Sequence, residues 1–240
     1  MHSKKHVIAA APLVLSLAAF TQEALAITDI TACQTIATSG SYRLTKNLSA
    51  KGDCLVVTAS RVEIDLQGHT IRGNGTGIGV GDEPGFPPSS FSQFAITLRN
   101  GTIANFRTGV SLDGTEGGVV EQTRVVESGD VGITLRSGRV RSNVVLDVDG
   151  TFGIQVRFAG VVADNYVEQV GSFGIVVSSG STVIGNSVFI TGVHGVATER
   201  PARIADNTIT GFDTNKTDQF TGVAIDTFRS GCSVSGNAAQ

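Results

Sequence analysis

The sequence predicts an all-β chain wound into a parallel β-solenoid, and two repeating registers and a glycine-rich composition predict it. The first register is a glycine followed by alternating apolar residues: Gly77-Ile78-Gly79-Val80, Gly109-Val110-Ser111-Leu112, Gly132-Ile133-Thr134-Leu135, Gly153-Ile154-Gln155-Val156, Gly174-Ile175-Val176-Val177, Gly195-Val196-Ala197-Thr198 and Gly222-Val223-Ala224-Ile225. These glycines are 32, 23, 21, 21, 21 and 27 residues apart. The second register is an asparagine with an apolar residue three before it and another two after it: Val140/Asn143/Val145, Val162/Asn165/Val167, Val183/Asn186/Val188 and Ile204/Asn207/Ile209. In three consecutive units the asparagine follows the glycine by 12 residues, so the two registers repeat together. Glycine supplies 30 of the 240 residues and proline 5, while charged side chains are only 16% of the chain, well below the usual quarter.

Each unit holds short runs of apolar alternation separated by Gly, Asn, Asp or Ser, which is strand chemistry with turn punctuation. Strands of four or five residues recurring every 21 residues cannot pair inside their own unit. Each must pair in parallel with its copy in the next, stacking coils about 4.8 Å apart. Trp is absent and the one Met is the first residue, so Val, Ile and Leu fill the interior. An asparagine amide both donates and accepts, and tolerates a left-handed backbone. Stacked copies of Asn143, Asn165, Asn186 and Asn207 are therefore expected to bond to one another along the axis.

Residues 1–26 have the form of a secretory signal: Lys4 and Lys5, an apolar run from Val7 to Phe20, and Ala24-Leu25-Ala26 before Ile27. Its apolar run, interrupted by Pro12 and Ser16, is too short for a membrane anchor of about 20 residues. Removing it takes away two Lys and one Glu and leaves 16 basic and 20 acidic side chains. That balance excludes a basic nucleic-acid surface, and no later stretch is apolar enough to span a membrane. The remainder divides into an N-terminal capping and first-coil region, 27–75, and the repeats, 76–240, within one continuous domain. Export permits disulfides, and Cys33 and Cys54, 21 residues apart, are the expected pair. Cys232 is then left over and reads as a buried small side chain.

The stretch Cys54-Leu55-Val56-Val57-Thr58-Ala59-Ser60-Arg61-Val62-Glu63-Ile64-Asp65-Leu66-Gln67-Gly68-His69-Thr70-Ile71, followed by Asn100-Gly101-Thr102-Ile103, resembles the opening of secreted bacterial right-handed parallel β-helix proteins. The later coils resemble the repeats of the pectin-lyase-like superfamily, over essentially all of residues 30–240. The resemblance implies a single right-handed parallel β-helix of about eight to nine coils, secreted or periplasmic. Activity does not follow from this fold. The galacturonan hydrolases of that superfamily carry Asn-Thr-Asp, an Asp pair and Gly-His-Gly. Here the nearest phrases are Asp206-Asn207-Thr208 and Val193-His194-Gly195, and neither an Asp-Asp nor the Asp-Pro-His-Glu of mannuronan epimerases occurs.

Candidate site residues follow from the register. If the first and third residues after each glycine point inward, the second and fourth face solvent. The fourth position then reads Gly81, Asp113, Arg136, Arg157, Ser178, Glu199 and Asp226. Arg136 and Arg157 rise from adjacent strands, where like charges repel unless a carboxylate or bound anion sits between them. Asp113, one coil earlier, is the nearest such carboxylate. In the superfamily's lyases an exposed face of this kind holds substrate, carboxylates bind Ca²⁺ and an arginine acts as the base. By that resemblance Arg136 and Arg157 are catalytic candidates, and Asp113, Arg136, Arg157, Glu199 and Asp226 are substrate-binding candidates. Asp113 and Glu199, about 19 Å apart at four strand spacings, cannot share a calcium ion, which leaves Glu199 with Asp226. No other cofactor is implied.

Glu63 and Asp65, with His69 on the next strand, form a second exposed carboxylate group whose expected role is structural, and His194 is expected at the surface. Two insertions, Gly81 to Phe94 and Phe212 to Thr221, lengthen the coil by about eleven and six residues. Phe86, Phe91 and Phe94 in the first are expected to cap the hydrophobic end. The chain thus reads as an exported β-helix whose partner is a polysaccharide or cell-envelope glycan, acidic by the arginine pair. The alternatives are a lyase acting on uronate polymers, or an envelope assembly module without catalysis; the oligomeric state is left open.

Overall fold

The computed structural model describes residues 26–82, 93–199, 201–211, 224–228 and 231–239. The expected signal, apart from Ala26, lies outside the described residues, as do Phe86, Phe91 and all of the second insertion.

Every regular element among the described residues is a β-strand, and the strands pair in parallel, each with its copy one coil away. One sheet of nine strands collects the glycine-led segments, from Gln34–Ile36 to Ile225–Thr227. A 17-stranded sheet winds around the other two sides of the coil. Gln93–Phe94 and Thr115–Glu116 form a short third sheet. Ile133, Ile154 and Ile175 stand in register on successive rungs of the nine-stranded sheet, and all three are fully buried. The strands opposite present Val125, Val145, Val167, Val188 and Ile209, also fully buried.

The repeat glycines from Gly109 to Gly195 are not turn residues but lie inside the strands, as Gly153 does in Phe152–Val156, whereas Gly77 precedes its strand with a positive φ of 68°. A Cβ on Gly109, Gly132, Gly153, Gly174 or Gly195 would stand 2.2–2.8 Å from the inward Val or Ile methyl of the opposite strand, so close packing across the core requires glycine there. The insertions also shift the register. Gly109 aligns with Gly79 rather than Gly77, and Gly195 aligns with Ala224 rather than Gly222.

The asparagines form a ladder. The side-chain oxygen of Asn165 accepts the backbone N–H of Asn143 and its amide N–H, both at 3.0 Å. The same double acceptance is repeated by Asn186 from Asn165, by Asn207 from Asn186 and by Asn237 from Asn207, at 2.9–3.0 Å. Each amide also donates to a carbonyl one rung back, including Val120, Val140 and Val162. Asn143, Asn165, Asn186 and Asn207 are almost completely buried. The ladder thus has a fifth member, Asn237, which the sequence reading missed. The left-handed backbone belongs to the residue before each asparagine, at Ser142, Asp164, Gly185, Asp206 and Gly236, and not to the asparagine itself.

The first half of the molecule is joined along its outer face by charge. Asp29, Arg43, Asp65, Arg99, Glu121 and Arg141 stand side by side on six consecutive rungs with alternating sign. Arg43 donates to Asp29 at 2.7 Å, Arg99 to Asp65 at 3.2 Å and Arg141 to Glu121 at 2.7 Å. Cys33 and Cys54 are disulfide-bonded as expected; Cys232 is half-buried rather than buried.

Asp82, at the end of Ile78–Asp82, ties this strand to the next turn: its Oδ2 accepts the Gly114 N–H and the Thr115 hydroxyl, each at 2.8 Å. Burial pushes its carboxyl up from 3.8 to about 6, against the lowering effect of those two donors. The folded chain therefore holds this proton more tightly than the unfolded chain does. The group costs stability progressively as pH rises from about 4 to about 6, and fully above that. Asp82→Asn, which keeps an acceptor oxygen, is expected to raise stability at pH 7.5 by about 2–3 kcal/mol and to leave it nearly unchanged at pH 3.5. Urea unfolding at both values measures the difference. In the ladder, Asn186→Ala removes the acceptor for both donors of Asn165, and the expected loss is about 3 kcal/mol or more. A loss below about 1 kcal/mol would mean that water replaces the amide.

Candidate functional site

Past the nine-stranded sheet, the backbone ladder continues to the fourth position after the repeat glycine. Arg136 N–H donates to Leu112 O and Arg157 N–H to Leu135 O, each at 3.0 Å, and Phe158 N–H donates to Arg136 O at 2.8 Å. Side chains at these positions are thereby fixed at strand spacing, one per coil, on the outside of the helix.

The two arginines separate in opposite directions, which relieves their repulsion. Arg157 reaches back two coils, where its Nη2 meets Asp113 Oδ2 at 3.1 Å. Asp113 is itself held by the Thr134 hydroxyl, 2.8 Å from its Oδ1, and Thr134 also lies 3.3 Å from Gln155 Oε1. Arg136 reaches forward, its guanidinium carbon 4.6 Å from the centre of the Phe158 ring. This is a cation–π contact on a ring that remains 51% exposed. Beside it, Arg157, Phe158, Ser178, Ser179 and Glu199 line a shallow depression of about 280 Å³. Five of the expected positions thus form one connected surface: Asp113, Arg136, Arg157, Ser178 and Glu199. Phe158 was missed. An aromatic directly after the fourth position was the available signal.

Asp226 does not join them. It aligns with Ala197, not Glu199, and its carboxylate lies 3.3 Å from His194 Nε2. The physical reason is the true length of the second insertion, which moves Asp226 from the fourth position to the second. Gly81 is displaced in the same way and stands opposite Ser111. Glu199 and Asp226 are therefore not neighbours in one column, and the carboxylate of Asp226 faces His194. Among the described residues no group of three or more His, Cys, Asp or Glu converges. His194 is not at the surface: it is buried and continues a ring stack from Phe152 through Phe173 to Phe228, with centroids 5.7, 5.2 and 6.0 Å apart.

The carboxylates of Glu63 and Asp65 are both held by Arg99, at 2.6 and 3.2 Å. Asp65 further accepts the Gln67 N–H and the Asn100 amide. This pair therefore serves the charge ladder, and a depression of about 370 Å³ beside it is bordered by these paired charges. Phe94 is exposed and carries Arg61 at 4.9 Å over its ring, so it does not cap the core.

Residues 35–239 match the family model described as the right handed beta helix region. No curated protein matches the chain. Among solved structures, the full-length tailspike protein 2 of Escherichia coli O157:H7 bacteriophage CAB120 superposes with a TM-score of 0.53 at 14% identity, covering 87% of this chain and 38% of the tailspike. The chain therefore spans about two fifths of that protein's length. The A-module of the Azotobacter vinelandii mannuronan C-5 epimerase AlgE6 gives a TM-score of 0.37 at 13% identity, covering 89% of this chain and 80% of the module. An alginate lyase from Paenibacillus sp. str. FPU-7 gives 0.32 at 13% identity, covering 85% and 95%. With the family model matched over most of its length and every observed rung parallel, the chain belongs to the right handed beta helix family.

Proposed function

We propose that this protein is an exported glycan-binding β-helix, and that a polysaccharide lies along the column Arg136, Arg157, Ser178 and Glu199, with Asp113 at its edge holding Arg157. The observation that carries the reading is the shared depression in which the exposed face of Phe158 meets Arg157, two serine hydroxyls and a carboxylate. A flat ring for stacking on a sugar, with donors and acceptors at its rim, is the chemistry that pyranose rings require. The site is shallow and extends along the solenoid axis, which suits a polymer better than a small molecule. The alginate lyase and the mannuronan epimerase are named for work on polysaccharides, but such distant likenesses carry no weight here. The disulfide between Cys33 and Cys54 supports an oxidising compartment.

Binding is favoured over lyase chemistry by the state of Arg157. An arginine base must turn a nitrogen toward the substrate, whereas Nη2 of Arg157 is already engaged by the Asp113 carboxylate at 3.1 Å. The acidic character of the ligand rests on the two arginines, and Glu199 provides an acceptor for sugar hydroxyls.

Affinity electrophoresis in gels cast with uronate polymers or neutral glucans tests the reading. The native chain is expected to be retarded by the uronate polymers, less so at high salt. The Arg136→Ala/Arg157→Ala variant is expected to bind them about tenfold or more weakly, and Phe158→Ala is expected to weaken binding to all polymers it recognises. Growth of ultraviolet absorbance from an unsaturated product would instead establish the lyase. Equal migration of the native chain in every gel would favour a role in envelope assembly.

A further inference from the structure

The position of Asp113 suggests how such a site is regulated. Its carboxylate is not a free surface charge: one oxygen takes the Thr134 hydroxyl at 2.8 Å and the other the Arg157 guanidinium at 3.1 Å. Thr134 stands on the intervening coil, between the rungs of Asp113 and Arg157, so the carboxylate is anchored from below while it engages the arginine. The contact spans two coils, whereas Arg43, Arg99 and Arg141 in the charge ladder each pair with a carboxylate one rung away. Arg157 is 47% exposed and borders the depression.

We infer that Asp113 is a built-in occupant of an anion subsite: its carboxylate holds the Arg157 guanidinium that the carboxylate of an acidic sugar would otherwise engage, and an acidic ligand binds by displacing it. The inference rests on the proposed glycan reading for the identity of the ligand, but not for the exchange itself, which any carboxylate or sulfate can report. A guanidinium offers five donors and can bind a carboxylate through two of them. The single contact to Asp113, through Nη2, leaves a bidentate arrangement for the incoming group to gain. The surface location makes the exchange inexpensive, because an exposed ion pair contributes little free energy. A neutral sugar needs no exchange, since Phe158, Ser178, Ser179 and Glu199 are reached without disturbing Asp113. The latch therefore sets specificity: it lowers affinity for acidic ligands and leaves neutral ones untouched.

Asp113→Asn tests this, because an asparagine oxygen still accepts the Thr134 hydroxyl while the charge on Arg157 is released. The Arg157 Nε–H resonance, followed by NMR during titration with galacturonate and with inorganic sulfate, is expected to saturate at about fivefold lower concentration of either anion in Asp113→Asn than in the native chain. Titration with glucose is expected to be the same in both. Unchanged or weaker anion binding by Asp113→Asn, with its melting temperature retained, would overturn the latch and make Asp113 a residue that positions Arg157. If Asp113→Asn tightens anion binding while uronate polymers bind neither chain, the latch stands and the polysaccharide reading fails. If Arg136→Ala/Arg157→Ala weakens polymer binding while Asp113→Asn changes nothing, the polysaccharide reading stands and the latch fails.

Discussion

Everything in this molecule depends on each strand finding its copy one coil later. A strand of four or five residues is too short to be stable by itself, and isolated pairs of strands are marginal in water. Stacked in parallel, the copies satisfy their backbone groups rung by rung and bury a continuous column of Val, Ile and Leu. The asparagine ladder enforces the alignment where it is most fragile, at the bend between two strands of the coil. There the backbone turns left-handed for one residue, and the N–H of the asparagine that follows is accepted by a side-chain oxygen instead of a backbone carbonyl. Each side-chain oxygen accepts two donors from the rung before it. A slip of one residue would leave several buried polar groups without partners at every level, and each such group costs its full desolvation penalty.

The two ends of the helix are joined by different chemistry. Between Asp29 and Arg141 the rungs are stitched on the outside by alternating charge; from Asn143 to Asn237 they are stitched on the inside by amides. The arginines of the external pairs are exposed to water and salt, though Asp65 and Glu121 are largely covered, while the amide ladder is buried from Asn143 to Asn207. The candidate site sits where these two regimes meet. Its arginines lie just after the last member of the charge ladder along the chain or just before it, and the carboxylate that holds Arg157 comes from the charge-stitched side.

The 21-residue units were legible because their chemistry repeats at fixed spacing. Glycine, the inward aliphatics and four asparagines could be placed, and with them the outward column from Asp113 to Glu199. The reading failed where an insertion intervened. Spacing alone does not reveal which residues of a longer segment belong to the loop, so Asp226 was assigned to the fourth position when the hydrogen-bonded register places it at the second. Asn237 was missed for the same reason, 30 residues beyond Asn207. The charge ladder escaped notice because its members come from coils of unequal length, where only the register brings alternating signs together. The glycines were recognised but misread: their repeat suggested turns, whereas from Gly109 to Gly195 the cause is the Val or Ile methyl facing each one across the core. His194 shows the limit of composition, since nothing adjacent in sequence announces a stack of rings contributed by separate coils.

The coils from Gly132 to Gly195 carry their own inward aliphatics, their own glycine and their own asparagine, and each contacts mainly its neighbours above and below. Such a unit is self-contained, so duplicating or deleting one of 21 residues would leave every remaining interface of the same kind. Evolution can therefore change the reach of this surface in steps of a single coil without redesigning a core. The length of the molecule is in this sense an adjustable quantity, a graduated ruler on which polar and aromatic side chains can be set at new distances by recombination alone.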